Sequence, residues 1–135
     1  MSSEAELVEK TYRAYFTVFQ IGDPRAITPY FHTPSLFISA AGTHALNTVR
    51  EAEQFFDRLI YGLRTRGYSR STLSYVQVKM LADDLALVNA RAERFTRNGD
   101  LLEKISALYT MRKTTGTWRI ATVTMYEPER TLELQ

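Results

Sequence analysis

The order of elements in this sequence predicts an α+β domain, and three observations carry that expectation. Capped helical segments dominate the first half, and strand-like runs separated by short turn sequences fill the second. Asn98-Gly99, the strongest short hairpin signal in the chain, sits between two of those runs. Helices come early and antiparallel strands late, an order that excludes a Rossmann fold.

The first helix opens at Ser3-Glu-Ala-Glu6, a capping box. Leu7, Val8, Tyr12, Tyr15, Phe16 and Phe19 then recur at helical spacing, and Gly22 supplies a left-handed end. Asp23 as N-cap and Pro24 at the first position begin a second helix, with Ile27, Tyr30 and Phe31 on its apolar side and Pro34 as its breaker. Leu36-Phe-Ile38 reads as a short buried strand. Thr48-Val-Arg-Glu51, a second capping box, opens a third helix that presents Ala52, Phe55, Phe56, Leu59, Ile60 and Leu63 inward and stops near Gly67.

A four-strand meander follows: Leu73 to Leu81, Leu85 to Thr96, Leu101 to Lys113 and Thr117 to Tyr126. A two-residue turn at Asn98-Gly99, with positive φ at both positions, pairs Arg97 with Asp100 and Phe95 with Leu102. The same register sets Arg94 opposite Glu103 and Glu93 opposite Lys104, two opposite-charge pairs that a one-residue slip would lose. One domain is expected over residues 1–135, with its core from about Ser3 to Tyr126 and residues 127–135 as a tail.

Composition narrows the function classes. In 135 residues, 44% hydrophobic and 24% charged, a globular core is expected. The absence of cysteine removes disulfides, thiolate metal sites and cysteine nucleophiles. A net charge of +2 is too small an excess for a nucleic-acid footprint. No apolar run approaches the length of a membrane span, and the acidic N-terminus lacks a signal core, so a cytoplasmic location without membrane or nucleic-acid partners is the default expectation. Arg64, Arg66 and Arg70 form one local cluster, read either as a helix end complementing the macrodipole or as a phosphate site.

Two stretches carry a family resemblance. Tyr15 to Asp23, with Ala26-Ile27 and Tyr30-Phe31 after it, resembles the opening of the nuclear-transport-factor-2-like superfamily. Tyr109-Thr-Met-Arg112, a turn, and Gly116-Thr-Trp118-Arg-Ile120 are similar to the last two strands of SnoaL-like members. The resemblance spans nearly the whole chain. It implies a cystatin-like fold, in which a curved antiparallel sheet and three N-terminal helices form a cone-shaped pocket, and a homodimer packed through the sheet's outer face. The superfamily includes ketosteroid isomerase, dehydratases, cyclases and members that only bind or assemble, so fold alone does not select an activity.

Comparison with ketosteroid isomerase places Tyr15 at the helix tyrosine and Tyr109 at the late-strand acid, two hydroxyls able to donate to an oxyanion. Both are equally read as packing residues. Ser39 falls where the isomerase has its aspartate base, and serine cannot replace it without a partner. His32 is a candidate general base at the pocket mouth, or a helix-end histidine complementing the dipole. His44 reads as an exposed loop residue. Phe19, Phe37, Ser39, Val123, Met125 and Glu127 are the expected ligand contacts, with Glu127 a weak acid or base candidate. Arg91, Glu93 and Glu103 are polar residues within strands, read as a solvated face rather than as a buried pair. Trp118 reads as core or interface. No cofactor or metal site is expected, since neither histidine has a clustered carboxylate.

Three functions fit. One is a binding protein for a small apolar ligand. Another is a cofactor-independent isomerase, dehydratase or cyclase acting on a carbonyl or phenolic compound. The third is a dimeric assembly module.

Overall fold

Helix α1, Glu4–Ile21, is capped by the Ser3 hydroxyl, which accepts from the Glu6 N–H at 3.2 Å. Val8, Tyr12, Tyr15 and Phe19 form its buried stripe. The helix ends at Gly22, whose φ of 80° is left-handed. A Cβ there would also meet the Arg64 guanidinium at 2.3 Å, where Arg64 Nη2 donates to the exposed Ile21 carbonyl. Asp23 and Pro24 start α2 as expected, but α2 spans only Pro24–Ile27 before a 3₁₀ turn at Thr28–Tyr30. The computed structural model describes residues 3–130 and 132–135; Met1, Ser2 and Thr131, which fall in the expected N-terminal and tail segments, lie outside the described residues.

The first strand, β1, runs over Phe31–Ser39 and so begins before the expected Leu36. Pro34 interrupts it without ending it. The proline lies in the irregular stretch between Phe31 and Leu36, where the pairing register shifts and no ladder N–H is required. Gly42–Leu46, read from sequence as a loop, is a short strand β2 paired antiparallel to β1. Helix α3, Val49–Thr65, starts at Thr48, whose Oγ1 accepts from the Glu51 N–H at 3.1 Å, and buries Ala52, Phe56, Ile60 and Leu63. Strands β3 (Tyr68–Ala82), β4 (Leu85–Thr96), β5 (Leu101–Thr114) and β6 (Thr117–Tyr126) complete the meander.

The sheet order is β2-β1-β6-β5-β4-β3, antiparallel throughout except that β1 and β6 run parallel. The meander is thereby extended by the hairpin from the first half, and Phe37 comes beside Val123.

The β4–β5 hairpin keeps the expected Glu93–Lys104 and Arg94–Glu103 pairs but reaches them differently. The loop is one residue longer than expected. Gly99 N–H donates to the Thr96 carbonyl, Thr96 N–H donates to the Asp100 carbonyl, and only Gly99 has positive φ. Phe95 consequently faces Leu101, not Leu102, and a bulge next to Arg94 restores the charge-pair register. The two-residue turn with positive φ at both positions is instead Thr115-Gly116, between Thr114 and Thr117.

A second bulge, at Ala121, turns Ile120 onto the same face as Val123. Register partners across the sheet then form concave rows: Val78, Val88, Tyr109, Val123 and Phe37 in one, Met80, Ala86, Met111, Ile120 and Phe31 in the next. Small residues on β4 and β5 (Ala86, Ala90, Ala92, Ala107) leave space for the large rings of α1 and α3, and these residues are all buried. Trp118 is core, and its Nε1 donates to Glu4 at 2.8 Å, tying the start of α1 to the last hairpin.

Candidate functional site

The helices and the concave face enclose a cavity lined by Tyr15, Phe16, Phe19, Phe37, Leu59, Ser71, Arg94, Ile105, Tyr109, Val123 and Met125. Its free volume is about 30 Å³, room for one or two waters. Tyr15, Tyr109 and Val123 are buried at the floor. Phe16, Phe37, Leu59, Ile105 and Met125 are half-buried and form the rim.

The floor is a tyrosine cluster. Tyr109 is held by β5 between Val88 and Val123, and Tyr12 and Tyr15 descend on it from α1. Ring centroids of Tyr109 lie 4.7 Å from Tyr12 and 6.1 Å from Tyr15, both edge-on. The Tyr12 hydroxyl donates to the Tyr109 hydroxyl at 3.3 Å. Burial pushes the Tyr12 and Tyr15 phenols well above their ordinary pKa, and the neighbouring Tyr109 oxygen adds to both rises. Burial raises Tyr109 as well, but the hydrogen bond from Tyr12 and the charge of Arg94 restrain it. All three are therefore neutral at physiological pH and act as donors or acceptors, not as bases.

The polar wall is an arginine–glutamate cluster. Arg94 Nη1 donates to Glu103 at 2.7 Å, and Arg66 Nη2 donates to the other oxygen of the same carboxylate at 2.9 Å. The Arg94 side chain is 11% exposed, so the pair is not the solvated face expected from the hairpin register. Burial alone would raise the Glu103 pKa, but the hydrogen bonds from Arg66 and Arg94 overcome it and hold the carboxyl below its ordinary value. The guanidinium of Arg94 also lies 5.8 Å from the Phe19 ring centroid and 5.9 Å from that of Tyr68. Ser71, the remaining polar lining residue, shares a 2.6 Å hydrogen bond with Tyr68.

Of the residues singled out from sequence, Tyr15, Phe19, Phe37, Tyr109, Val123 and Met125 meet around this cavity. His32, Ser39 and Glu127 do not. His32 sits in β1, not at a helix end, and its Nδ1 lies 3.0 Å from the Pro34 carbonyl oxygen. The Ser39 hydroxyl accepts from the Ala41 N–H at 3.2 Å in the turn before β2. Glu127 has left the sheet and faces Arg130 at 4.0 Å, largely exposed. His44, on β2, is exposed as expected and packs against Phe55. The arginine cluster serves structure: Arg64 caps α1, Arg66 pairs with Glu103, and Arg70 lies over Phe95.

Sequence reasoning missed Tyr12, Ser71 and Arg94. Arg94 carried a usable signal, since it is in phase with Ala86, Val88, Ala90 and Ala92, the inward residues of β4. No lining residue is a carboxylate or a histidine. Among the described residues no cluster of histidine and carboxylate side chains could hold a metal ion.

A curved six-stranded sheet closed by α1 and α3 over a tyrosine-floored cavity defines an NTF2-like, cystatin-like α+β protein. The chain belongs to the NTF2-like protein family DUF6841, whose profile matches residues 3–128. Aln2 from a Streptomyces species is similar in structure, with a TM-score of 0.74 at 18% identity, covering 96% of this chain and 94% of that one. A domain of unknown function with a cystatin-like fold from Nostoc punctiforme PCC 73102 gives a TM-score of 0.74 at 18% identity, covering 99% of this chain and 82% of that one. A protein from Streptomyces avermitilis, proposed to be a dehydratase of the NTF2-like family, gives 0.71 at 14% identity, covering 90% and 94%. These likenesses establish the fold. No curated protein matches the chain in sequence. No helix among the described residues is long and apolar enough to cross a membrane.

Proposed function

We propose that this protein binds a small, mostly apolar ligand in the cone without transforming it. The observation that carries this reading is the lining itself: an apolar rim leads to hydroxyl donors, and no lining residue is a carboxylate or a histidine. Glu103, bonded to the lining residue Arg94 but not itself in the lining, is engaged by two arginines that lower its pKa and so weaken it as a base. A free volume of about 30 Å³ limits what reaches the floor to the polar end of a ligand, whose body then lies along Phe16, Leu59, Phe37 and Met125.

The isomerase, dehydratase or cyclase alternative keeps Tyr15 and Tyr109 as donors, with Tyr12 donating to Tyr109 from behind. Such donors contribute about 3–4 kcal/mol each in a dry site. That alternative lacks the base those reactions require. A homodimer through the outer face of the sheet would have to share that face with residues 132–134, which already lie on it.

Thermal unfolding with small aromatic compounds tests the binding reading, run on the native chain and on Met125→Trp, which fills the rim. A compound at 100 times its dissociation constant adds about 2.7 kcal/mol to the folded state. Stabilisation of the native chain that disappears in Met125→Trp supports the pocket. Equal stabilisation of both proteins, or of neither, overturns it.

A further inference from the structure

Charge does not balance at the polar wall of the cavity. Arg66 and Arg94 bring two positive charges to one carboxylate, Glu103. Arg66 is half-exposed, so solvent screens its charge, whereas Arg94 is the buried member. Among the described residues, the hydrogen bonds of Arg94 end at Nη1, and its Nε is sealed from solvent with no partner. A buried donor on a charged group without a partner is costly, and folded proteins rarely keep one unless something else meets it.

The engaged and free nitrogens also have a direction. Nη1 faces Glu103 and Nε is sealed, which leaves Nη2 as the unpartnered nitrogen of the guanidinium that is not shut off from solvent. Arg94 lines the cavity with Ser71, Tyr15 and Tyr109, and its charge opposes the rise that burial imposes on the Tyr15 and Tyr109 phenols.

We propose that Arg94 is an anchoring residue for the carboxylate of a small apolar monocarboxylic acid, with Nη2 of its guanidinium donating to the carboxylate and Phe16, Phe37, Leu59 and Met125 covering the body. The proposal rests on the binding reading above and assigns the ligand's chemical class. A neutral carbonyl would satisfy one donor but leave the surplus charge uncompensated. A carboxylate meets the free Nη2 and balances the surplus charge, and the oxygen that does so needs no more room than the one or two waters the floor admits.

The test pairs acids with neutral isosteres: benzoate against benzamide, and phenylacetate against phenylacetamide. Each is titrated calorimetrically into the native chain, Arg94→Gln and Arg91→Gln, the last altering an arginine on the opposite face of the sheet. The acids are expected to bind the native chain about tenfold or more tightly than their amides, since hydrogen bonds to charged groups are the stronger ones. Arg94→Gln should abolish that preference and Arg91→Gln should leave it intact. Acids and amides binding the native chain alike would overturn the carboxylate assignment while leaving the pocket standing. Binding by neither class would overturn both. If Arg94→Gln does not fold, the acid-to-amide ratio on the native chain decides.

Discussion

Strand β4 carries two arginines three residues apart, and the sheet treats them in opposite ways. Arg91 points to the outer face. Its guanidinium lies 4.3 Å from the Tyr75 ring centroid, and Nη2 donates to the Leu132 carbonyl at 2.9 Å. Asn89, fully buried on the same face, donates to that carbonyl at 2.6 Å and accepts from the Tyr126 hydroxyl. Gln77 beside it accepts from the Leu134 N–H at 2.8 Å and donates to the Leu134 carbonyl. The segment after β6 therefore satisfies a row of polar side chains. Arg94 points to the concave face, among rings and aliphatic side chains, and keeps an unpartnered Nε. A satisfied arginine on a sheet reads as structure, and an unsatisfied one at a cavity reads as a handle for something that binds.

Several substitutions would break or sharpen this contrast. The largest effect is expected on the concave side, where Phe56 is fully buried with its ring 4.8 Å from that of Phe31. Phe56→Ala should cost about 3–5 kcal/mol in urea unfolding, and a loss below about 1 kcal/mol would mean that the cone is not packed as described. On the outer face, Asn89→Ala should cost about 1–3 kcal/mol by orphaning the Tyr126 hydroxyl and weakening the hold on Leu132. It should also make the 132–135 segment more open to proteolysis, which limited digestion reads directly.

The arginines themselves give the sharpest comparison. Arg91→Met should destabilise by about 1 kcal/mol, having lost a carbonyl partner and a stacked ring. Arg94→Met should be neutral or stabilise by up to about 1 kcal/mol, because it removes an uncompensated buried donor while Glu103 keeps Arg66. Equal losses at both positions would show that Arg94 is as structural as Arg91.

Acid sharpens the point further. Glu103 has a folded pKa below its ordinary value of 4.5, so the stability it contributes is present above that pH and is lost as pH falls through the folded value. The native chain should therefore exceed Glu103→Gln in stability near neutrality, and the two curves should converge below about pH 4.5. A gap that persists at lower pH would remove the ion pair as its cause. The smallest change is expected at the β5–β6 turn, where Thr115 has a φ of 51°. Thr115→Gly should stabilise by about 1 kcal/mol at most, since the relieved left-handed strain is partly offset by glycine's entropy, giving a slightly higher melting temperature with the hairpin register unchanged.

Much of the frame was legible because it rests on local chemistry. The two capping boxes, the Gly22 end, Asp23-Pro24 and the charge pairs across Asn98-Gly99 all act within a few residues or across one turn. What escaped was non-local. β2 has four exposed residues in five and offers no alternation to read, so only its pairing with β1 makes it a strand. The bulge at Ala121 changed which side chains of β6 face the cone, and simple alternation could not foresee it. His32 and Ser39 illustrate the same limit: His32 was placed at a helix end and Ser39 by counting along a strand, and each instead bonds to backbone within two residues.

The sequence by itself determined that this chain is an α+β domain with aromatic helices over a strand meander, because period, caps and turns are properties of neighbouring residues. It also supplied the tyrosines and the apolar rim. Only the tertiary structure decided that β1 joins β6 in parallel, that residues 132–134 lie on the outer face, and that Arg94 lines the cone with an unpartnered nitrogen. Each of these depends on the three-dimensional meeting of groups far apart in the chain, where burial and partnership are settled together.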